Sequence, residues 1–129
     1  MLGAAKKIVE SDGDSSIDIA LTATVYTHSI RIEQSEFFGL WVKAGSSPDL
    51  KIELEQGKDV PDTEGSSDTN WAVPEGISDI VTNLTATTAK IYSISPVPMP
   101  YMRLKITGNA GNGAAATLAA WLFEQSHTR

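Results

Sequence analysis

The sequence predicts an all-β protein, a sandwich or barrel of short antiparallel strands. Three observations lead to this prediction. Apolar and polar residues alternate over short runs, turn-forming residues separate those runs at frequent intervals, and helical periodicity is almost absent. A chain of 129 residues fits a single domain, and such a chain can bury roughly two-thirds of its unfolded surface.

Eight segments are predicted to be strands because Gly, Pro, Ser, Asp or Asn bounds each of them. They are residues 4–9, 17–26, 36–44, 49–56, 77–83, 88–94, 100–107 and 116–125. The sandwich is expected to occupy residues 17–125. Residues 1–16 are expected to form an N-terminal arm, and residues 126–129 a short C-terminal tail.

The two central segments have the clearest period of two. In DLKIELEQG the apolar residues are expected in the core and the charged ones in solvent: Leu50, Ile52 and Leu54 against Lys51, Glu53 and Glu55. In EFFGLWVKA the two faces are Phe38, Leu40, Val42 and Ala44 against Phe37, Gly39, Trp41 and Lys43. Residues 45–48 are rich in Gly, Ser and Pro, so we expect a hairpin between these segments.

A second hairpin is predicted at the end of the chain, between YMRLKITG and TLAAWLFEQ. In its first arm Met102, Leu104 and Ile106 share one face. Its second arm contains Trp121, Leu122 and Phe123 in a row and is expected to bury both faces. The connection GNAGNGAAA is expected to be a soft tip of small residues.

Two irregular segments interrupt the strands. Residues 57–70 form an acidic loop, either a solvated excursion or a functional loop. Residues 95–100 contain three prolines, which exclude regular pairing in a central strand. We expect this second segment to be an extended crossover or a contact arm.

The charge and composition exclude several functional classes. The net charge is −6, which makes nucleic acid a poor partner. The acidity fits solubility, or complementarity to a basic partner. The chain has no cysteine, so thiolate metal sites and thiol nucleophiles are excluded. No segment has the length of a membrane span or the pattern of a signal peptide, and we expect neither membrane insertion nor export.

No arrangement of residues predicts catalysis, a cofactor or a metal. The histidines are His28 and His127, and no G-x-S-x-G motif accompanies them. Asp12, Asp14, Ser16 and Asp18 have a spacing similar to that of calcium loops, but Ala23 stands where the bidentate glutamate belongs. An Asx-rich turn explains that stretch equally well. We therefore expect a protein that is not an enzyme.

The order of these features resembles that of a group of small virion proteins of tailed bacteriophages. Their pattern is a strand ending in a Leu-Glu-Gln-like run, a Trp and a Pro after an acidic loop, and a closing aromatic-x-Arg-Leu-Lys hairpin. The matching residues here are Lys51 to Gln56, Trp71, Pro74, Tyr101 to Gly108 and Thr117 to Gln125, so that the resemblance covers roughly residues 36–125.

This resemblance implies a jelly-roll-like β-sandwich with a structural role. It would be a capsid decoration or cement protein that binds and stabilises the lattice of the major capsid protein. It would be made in the host cytoplasm and located on the capsid surface of the virion. It would also bind itself, as a homo-oligomer with a trimer at quasi-threefold positions.

The residues expected to make these contacts lie in three places. The arm contributes charged and apolar residues that add a strand to a neighbour's sheet, the segment EFFGLWVKA contributes outward aromatic residues, and the proline crossover contributes the remainder. They are Lys6, Lys7, Ile8, Val9, Phe37, Trp41, Val97, Pro98 and Met99.

A carbohydrate-binding module is the alternative interpretation. The strand YMRLKITG is similar to the closing strand of discoidin-like galactose-binding sandwiches. Exposed aromatic rings are the usual stacking platforms for sugars, and Trp41, Trp71, Tyr92 and Tyr101 are the candidates here. Trp71 is the best of them, although an aromatic residue beside a loop also serves to close the end of a core.

Overall fold

The computed structural model describes residues 2–7, 16–32 and 35–126, and these residues form strands without any helix. The strands are β1 (Leu2–Lys7), β2 (Ile17–Asp18), β3 (Thr24–Tyr26), β4 (Ile30–Arg31), β5 (Ser35–Gly45), β6 (Leu50–Gly57), β7 (Trp71–Ala72), β8 (Val81–Leu84), β9 (Lys90–Ile94), β10 (Tyr101–Gly108) and β11 (Thr117–Ser126). Within the described ranges, no helix has the length and apolar character that crossing a lipid bilayer would take.

The strands form two antiparallel sheets that pack as a sandwich. Sheet A has the order β1, β11, β5, β9, and β2 pairs with β11 beyond the end of β1. Sheet B has the order β3, β10, β6, β7, with β4 paired to β10 and β8 paired to β6. Successive parts of the chain alternate between the sheets, which is the strand arrangement of a jelly roll. The prediction of an all-β antiparallel sandwich is confirmed.

The two predicted hairpins are wrong. β5 pairs with β11 and β9 in sheet A, whereas β6 pairs with β10, β7 and β8 in sheet B. β10 and β11 likewise belong to opposite sheets. Alternation along a strand fixes which face is apolar, but it does not fix which strand lies beside it. Each connection is therefore an arch that places two apolar faces opposite each other across the core.

The core lies between the two sheets and contains the predicted inward residues of β5, β6 and β10. The buried cluster also draws on β2, β8, β9 and β11 and on two loop positions. It consists of Ile17, Ile19, Ile32, Phe38, Leu40, Val42, Ala44, Leu50, Ile52, Leu54, Leu84, Ile94, Met102, Leu104, Ile106, Leu118, Ala120 and Leu122. This continuous apolar layer holds the sheets together.

Three details of the strand prediction need correction. The predicted strand 17–26 is divided into β2 and β3 by a turn in which Leu21 has a φ of 51°. β11 buries only one face, because Phe123 on its other face is 41% exposed. Leu2–Lys7, in the expected arm, is an edge strand of the chain's own sheet A. The remaining residues of the arm before Ser16 lie outside the described residues.

The connection between β10 and β11 is pinned by Asn112, contrary to the expectation of a soft tip. This side chain is 6% exposed. Its Oδ1 accepts a hydrogen bond from the backbone N–H of Asp49 at 3.0 Å, and its Nδ2 donates to the carbonyl oxygens of Ile19 and Leu21 at 2.8 and 2.6 Å. Next to it, a Cβ on Gly108 would lie 1.7 Å from the Leu21 oxygen, so only glycine fits there.

Asp49 extends this network toward β8. Its carboxylate accepts hydrogen bonds from the side-chain amides of Asn83 and Asn109, each at 3.0 Å. These bonds, first from Asn83 and then from Asn109, hold the pKa of the Asp49 carboxyl below its ordinary value. The polar network thus joins three connections at this end of the sandwich.

Candidate contact surface

The outer face of sheet A is the first surface that could serve as a binding site. Alternate residues of its strands point away from the core, and the register aligns Trp121, Trp41 and Ile91 in one row across three strands. The next row contains Phe123, Gly39 and Ser93. Phe37 follows on β5. Six of these seven residues are apolar or aromatic, or lack a side chain, so the rows form one apolar surface.

Several side chains of this outer face are strongly exposed. Ile91 is 76% exposed, Phe37 49% and Phe123 41%. Between them lies a groove of about 440 Å³ above Gly39, and a Cβ built on Gly39 would meet no atom within 4 Å. The groove is lined by Phe37, Phe38, Gly39, Ile91, Tyr92, Ser93 and Phe123. Contiguous exposed apolar surface of this kind marks interaction sites in proteins.

Charged positions lie at one edge and at one end of this face, and at the edge the register places Lys7 of β1 opposite Trp121. Among the described residues that point outward from sheet A, Lys43 on β5 and Asp18 on β2 carry charges of opposite sign. Both lie beyond the row of Trp41, toward the start of β11. The aromatic end around Gly39 therefore contains no described charge, although the chain as a whole carries −6.

The outer face of sheet B, in contrast, is covered by the acidic loop around Arg103. Arg103 points outward from β10, yet it is only 1% exposed. Its Nε donates to Glu55 Oε1 at 2.7 Å, and Nη2 lies 2.7 Å from the same oxygen without hydrogen-bond geometry. Nη1 donates to the backbone oxygen of Ser66 at 2.8 Å. Glu55, predicted in solvent, is therefore buried under the loop.

Trp71 closes this cluster. It is 6% exposed, its Nε1 donates to the backbone oxygen of Asp59 at 3.0 Å, and a Cβ on Gly57 would lie 2.4 Å from its ring. The Arg103 guanidinium lies 4.8 Å from the centre of the Trp71 ring and 4.3 Å from that of Tyr26, within cation–π range. Trp71 is thus a structural plug, and its ring is not available as a sugar platform.

The acidic loop also holds itself in place. Asp68 accepts hydrogen bonds from the backbone N–H groups of Asp62 and Asn70 at 2.9 and 2.8 Å. These bonds, with Asp62 the larger cause, hold the pKa of the Asp68 carboxyl below its ordinary value. Glu64 accepts from the backbone N–H of Ser29 at 2.7 Å. Residues 57–70 are mostly exposed, as expected for a solvated excursion, but hydrogen bonds fix their path, and a functional role for the loop stays a prediction.

The proline crossover is held by the side chain of Gln56. Its Nε2 donates to the Val97 oxygen at 2.9 Å, and its Oε1 accepts from the Val97 N–H at 3.1 Å. The amide thus replaces the strand partner that the neighbouring prolines exclude. Pro98 is exposed, and Val97 and Met99 are half-buried. The crossover is a fixed, partly exposed segment between β9 of sheet A and β10 of sheet B.

The structure separates the residues predicted to make contacts. Phe37 and Trp41 lie on the outer face of sheet A, and Val97, Pro98 and Met99 lie in the crossover. Lys6 and Lys7 belong to β1, while Ile8 and Val9 lie outside the described residues. Sequence reasoning missed Ile91 and Phe123. Ile91 lies in KIYSI, where both alternating sets contain an isoleucine, and the run Trp-Leu-Phe hides which side of β11 faces outward.

The described residues contain no cluster suited to metal binding. Among them, no group of three or more His, Asp or Glu side chains is placed to hold a metal ion. His28 is half-buried in the segment between β3 and β4. Asp12 and Asp14 of the calcium-like stretch lie outside the described residues, and Asp18 is an exposed residue of β2.

Comparison with known proteins gives no assignment. No protein-family model matches the chain, and no curated protein matches it significantly. The resemblance to phage virion proteins stays a prediction from the sequence.

Proposed function

We propose that this chain is a non-enzymatic structural protein of a tailed-phage virion, a decoration or cement protein that binds the lattice of the major capsid protein. The observation that carries the proposal is the exposed apolar outer face of sheet A on a well-packed jelly roll. Such a protein acts by adhesion, which requires a rigid scaffold and exposed surface of this type. Its location would be the capsid surface, and its partners the major capsid protein and other copies of itself.

Weak contacts between this protein and the capsid can be sufficient, because the capsid lattice repeats the same surface many times. A capsid presents the same surface many times, so a protein that binds itself and the lattice gains avidity through effective concentration. The segments that we expect to contact the lattice are residues 1–10, which include the edge strand β1, and the crossover with Val97, Pro98 and Met99. The carbohydrate alternative has less support, because Trp71 is buried and five of the seven residues that line the groove, all except Tyr92 and Ser93, have no polar side-chain atom.

The test is co-sedimentation of the purified protein with capsids that lack it. We expect saturable binding, and we expect deletion of residues 1–10 to weaken it by at least tenfold. Because β1 pairs with β11, the deletion also removes an edge strand. The double substitution Lys6→Glu and Lys7→Glu is therefore the matched variant, since it keeps the backbone pairing. Circular dichroism of each variant monitors the fold.

Two results would contradict this proposal. Full-length protein that binds no capsid removes the decoration role, and a specific signal on a glycan array would then favour the carbohydrate module. Variants at residues 1–10 that saturate capsids at wild-type concentrations show that the anchor lies elsewhere. In that case the crossover, tested by Pro98→Ser with Met99→Ser, is the next segment to examine.

A further inference from the structure

We propose that the outer face of sheet A binds the same face of a second copy of this chain, giving a two-fold dimer. Self-association is part of the proposed function, and the outer face of sheet A with two-fold symmetry is the way in which it would occur. This inference concerns the purified protein alone, so it stands or fails separately from capsid binding.

The distribution of charge favours this occupant. The repulsion between two chains of net charge −6 is smallest when they meet through a face without excess negative charge. On the outer face of sheet A, Lys43 and Asp18 are of opposite sign at one end, and the register of β1 adds Lys7 at the edge. Stacked sheets lie about 10 Å apart. In the dimer four stacked sheets would separate the acidic loops of the two copies, which would therefore be more than about 30 Å apart. This separation exceeds the Debye length of about 8 Å.

The shape of the face is self-complementary. It contains projecting side chains, Phe37, Ile91 and Phe123, and between them the groove above Gly39. A two-fold axis brings the projections of each copy onto the groove of the other, so both copies gain the same contact. A small apolar ligand would fill the groove alone, whereas a second sheet would cover both the groove and the side chains that project around it.

The size of the face is of the order that a dimer needs. Strands about 4.8 Å apart with a rise of about 3.3 Å per residue give sheet A a flat area of about 500 Å². Each partner buries about 800 Å² in a stable interface. Protruding side chains make the accessible area of this face larger than its flat area and bring it closer to that value. Because one flat surface meets itself, the assembly closes at two copies. The trimer that the resemblance implies needs two different surfaces on each copy.

The experiment is sedimentation equilibrium of the full chain over a wide range of protein concentration. We expect a concentration-dependent mass of twice the 13.8 kDa of one chain. Ile91→Lys and Gly39→Arg are each expected to raise the dissociation constant at least tenfold. Both sites tolerate a large side chain in the monomer, since Ile91 is 76% exposed and the space above Gly39 is open.

Val60→Lys is the matched control, because Val60 is 57% exposed and lies in the acidic loop. It introduces the same charge and is expected to leave the dimer unchanged. A monomer at every concentration, a trimer, or a dimer that neither Ile91→Lys nor Gly39→Arg weakens would overturn the inference. A dimer that binds no capsid would contradict the proposed function and leave this inference intact.

Discussion

At the scale of single residues, Arg103 shows how a loop changes the environment that a strand pattern predicts. It alternates with Met102 and Leu104, so the pattern places it on the outer face of β10, and the structure agrees. The pattern does not show that residues 58–70 then cover that face. The path of a loop depends on contacts between residues far apart in sequence, such as Arg103 with Glu55 and Ser66, and periodicity contains no information about them.

Arg103→Ala is expected to lower the free energy of unfolding by about 3–5 kcal/mol, because it leaves the buried Glu55 carboxylate without its partner. The double substitution Arg103→Met with Glu55→Met should cost less than the sum of the single changes. Urea denaturation followed by circular dichroism measures both effects. The control is Lys58→Ala, which removes an exposed ion pair with Asp59 and should change stability far less, because solvent screens such a pair. Equal losses for Arg103→Ala and Lys58→Ala would show that Arg103 is solvated.

At the scale of elements, the inward and outward faces of β5, β6 and β10 could be predicted from the sequence, but their neighbours could not. Leu50, Ile52 and Leu54 are buried as expected, because a period of two places alternate residues on one face. Pairing depends on whether a connection turns within one sheet or arches to the other. Ser46 and Ser47, both with positive φ, direct the chain away from β5, and serine does not signal that conformation.

Ile52→Asp is the sharpest test of the register of β6. Ile52 is fully buried between the sheets, so a carboxylate there would be desolvated without a partner and should cost on the order of 4 kcal/mol or more. Lys51→Asp, one position away on the opposite face, is the matched control and should change stability far less. Thermal melting of both variants compares them. An Ile52→Asp protein that melts with the wild type would mean that this strand has the other register.

At the scale of the whole molecule, the two sheets have different outer surfaces. Sheet B is covered at one end by the chain's own acidic loop, with Arg103 and Trp71 buried beneath it. Sheet A leaves Phe37, Ile91 and Phe123 exposed. The candidate contact residues Phe37 and Trp41 could be predicted because they alternate with core residues. The contrast between the sheets could not, since it depends on where a loop of the folded chain comes to lie.

The environment of Asn112 also bears on chemical ageing. An Asn followed by Gly, as at Asn112 and Gly113, is prone to deamidation: the glycine nitrogen attacks the side-chain carbonyl carbon, ammonia leaves, and water opens the succinimide to aspartate or isoaspartate. In the folded chain the amide of Asn112 is held at both ends, and the Gly113 N–H donates to the Ser47 oxygen at 2.9 Å. Neither reacting group is free to approach the other.

Unfolding removes that protection, so a chain that has been unfolded acquires a lasting chemical mark. An aspartate at position 112 has no amide hydrogens to give to the carbonyl oxygens of Ile19 and Leu21, and marked chains should fail to regain the native state. Peptide mass spectrometry after prolonged incubation in mildly alkaline buffer should find deamidation at Asn112 in urea and almost none in native protein. Similar rates in the two samples would show that the fold gives no protection. Deamidation at Asn112 would thus distinguish chains that have stayed folded from chains that have once unfolded.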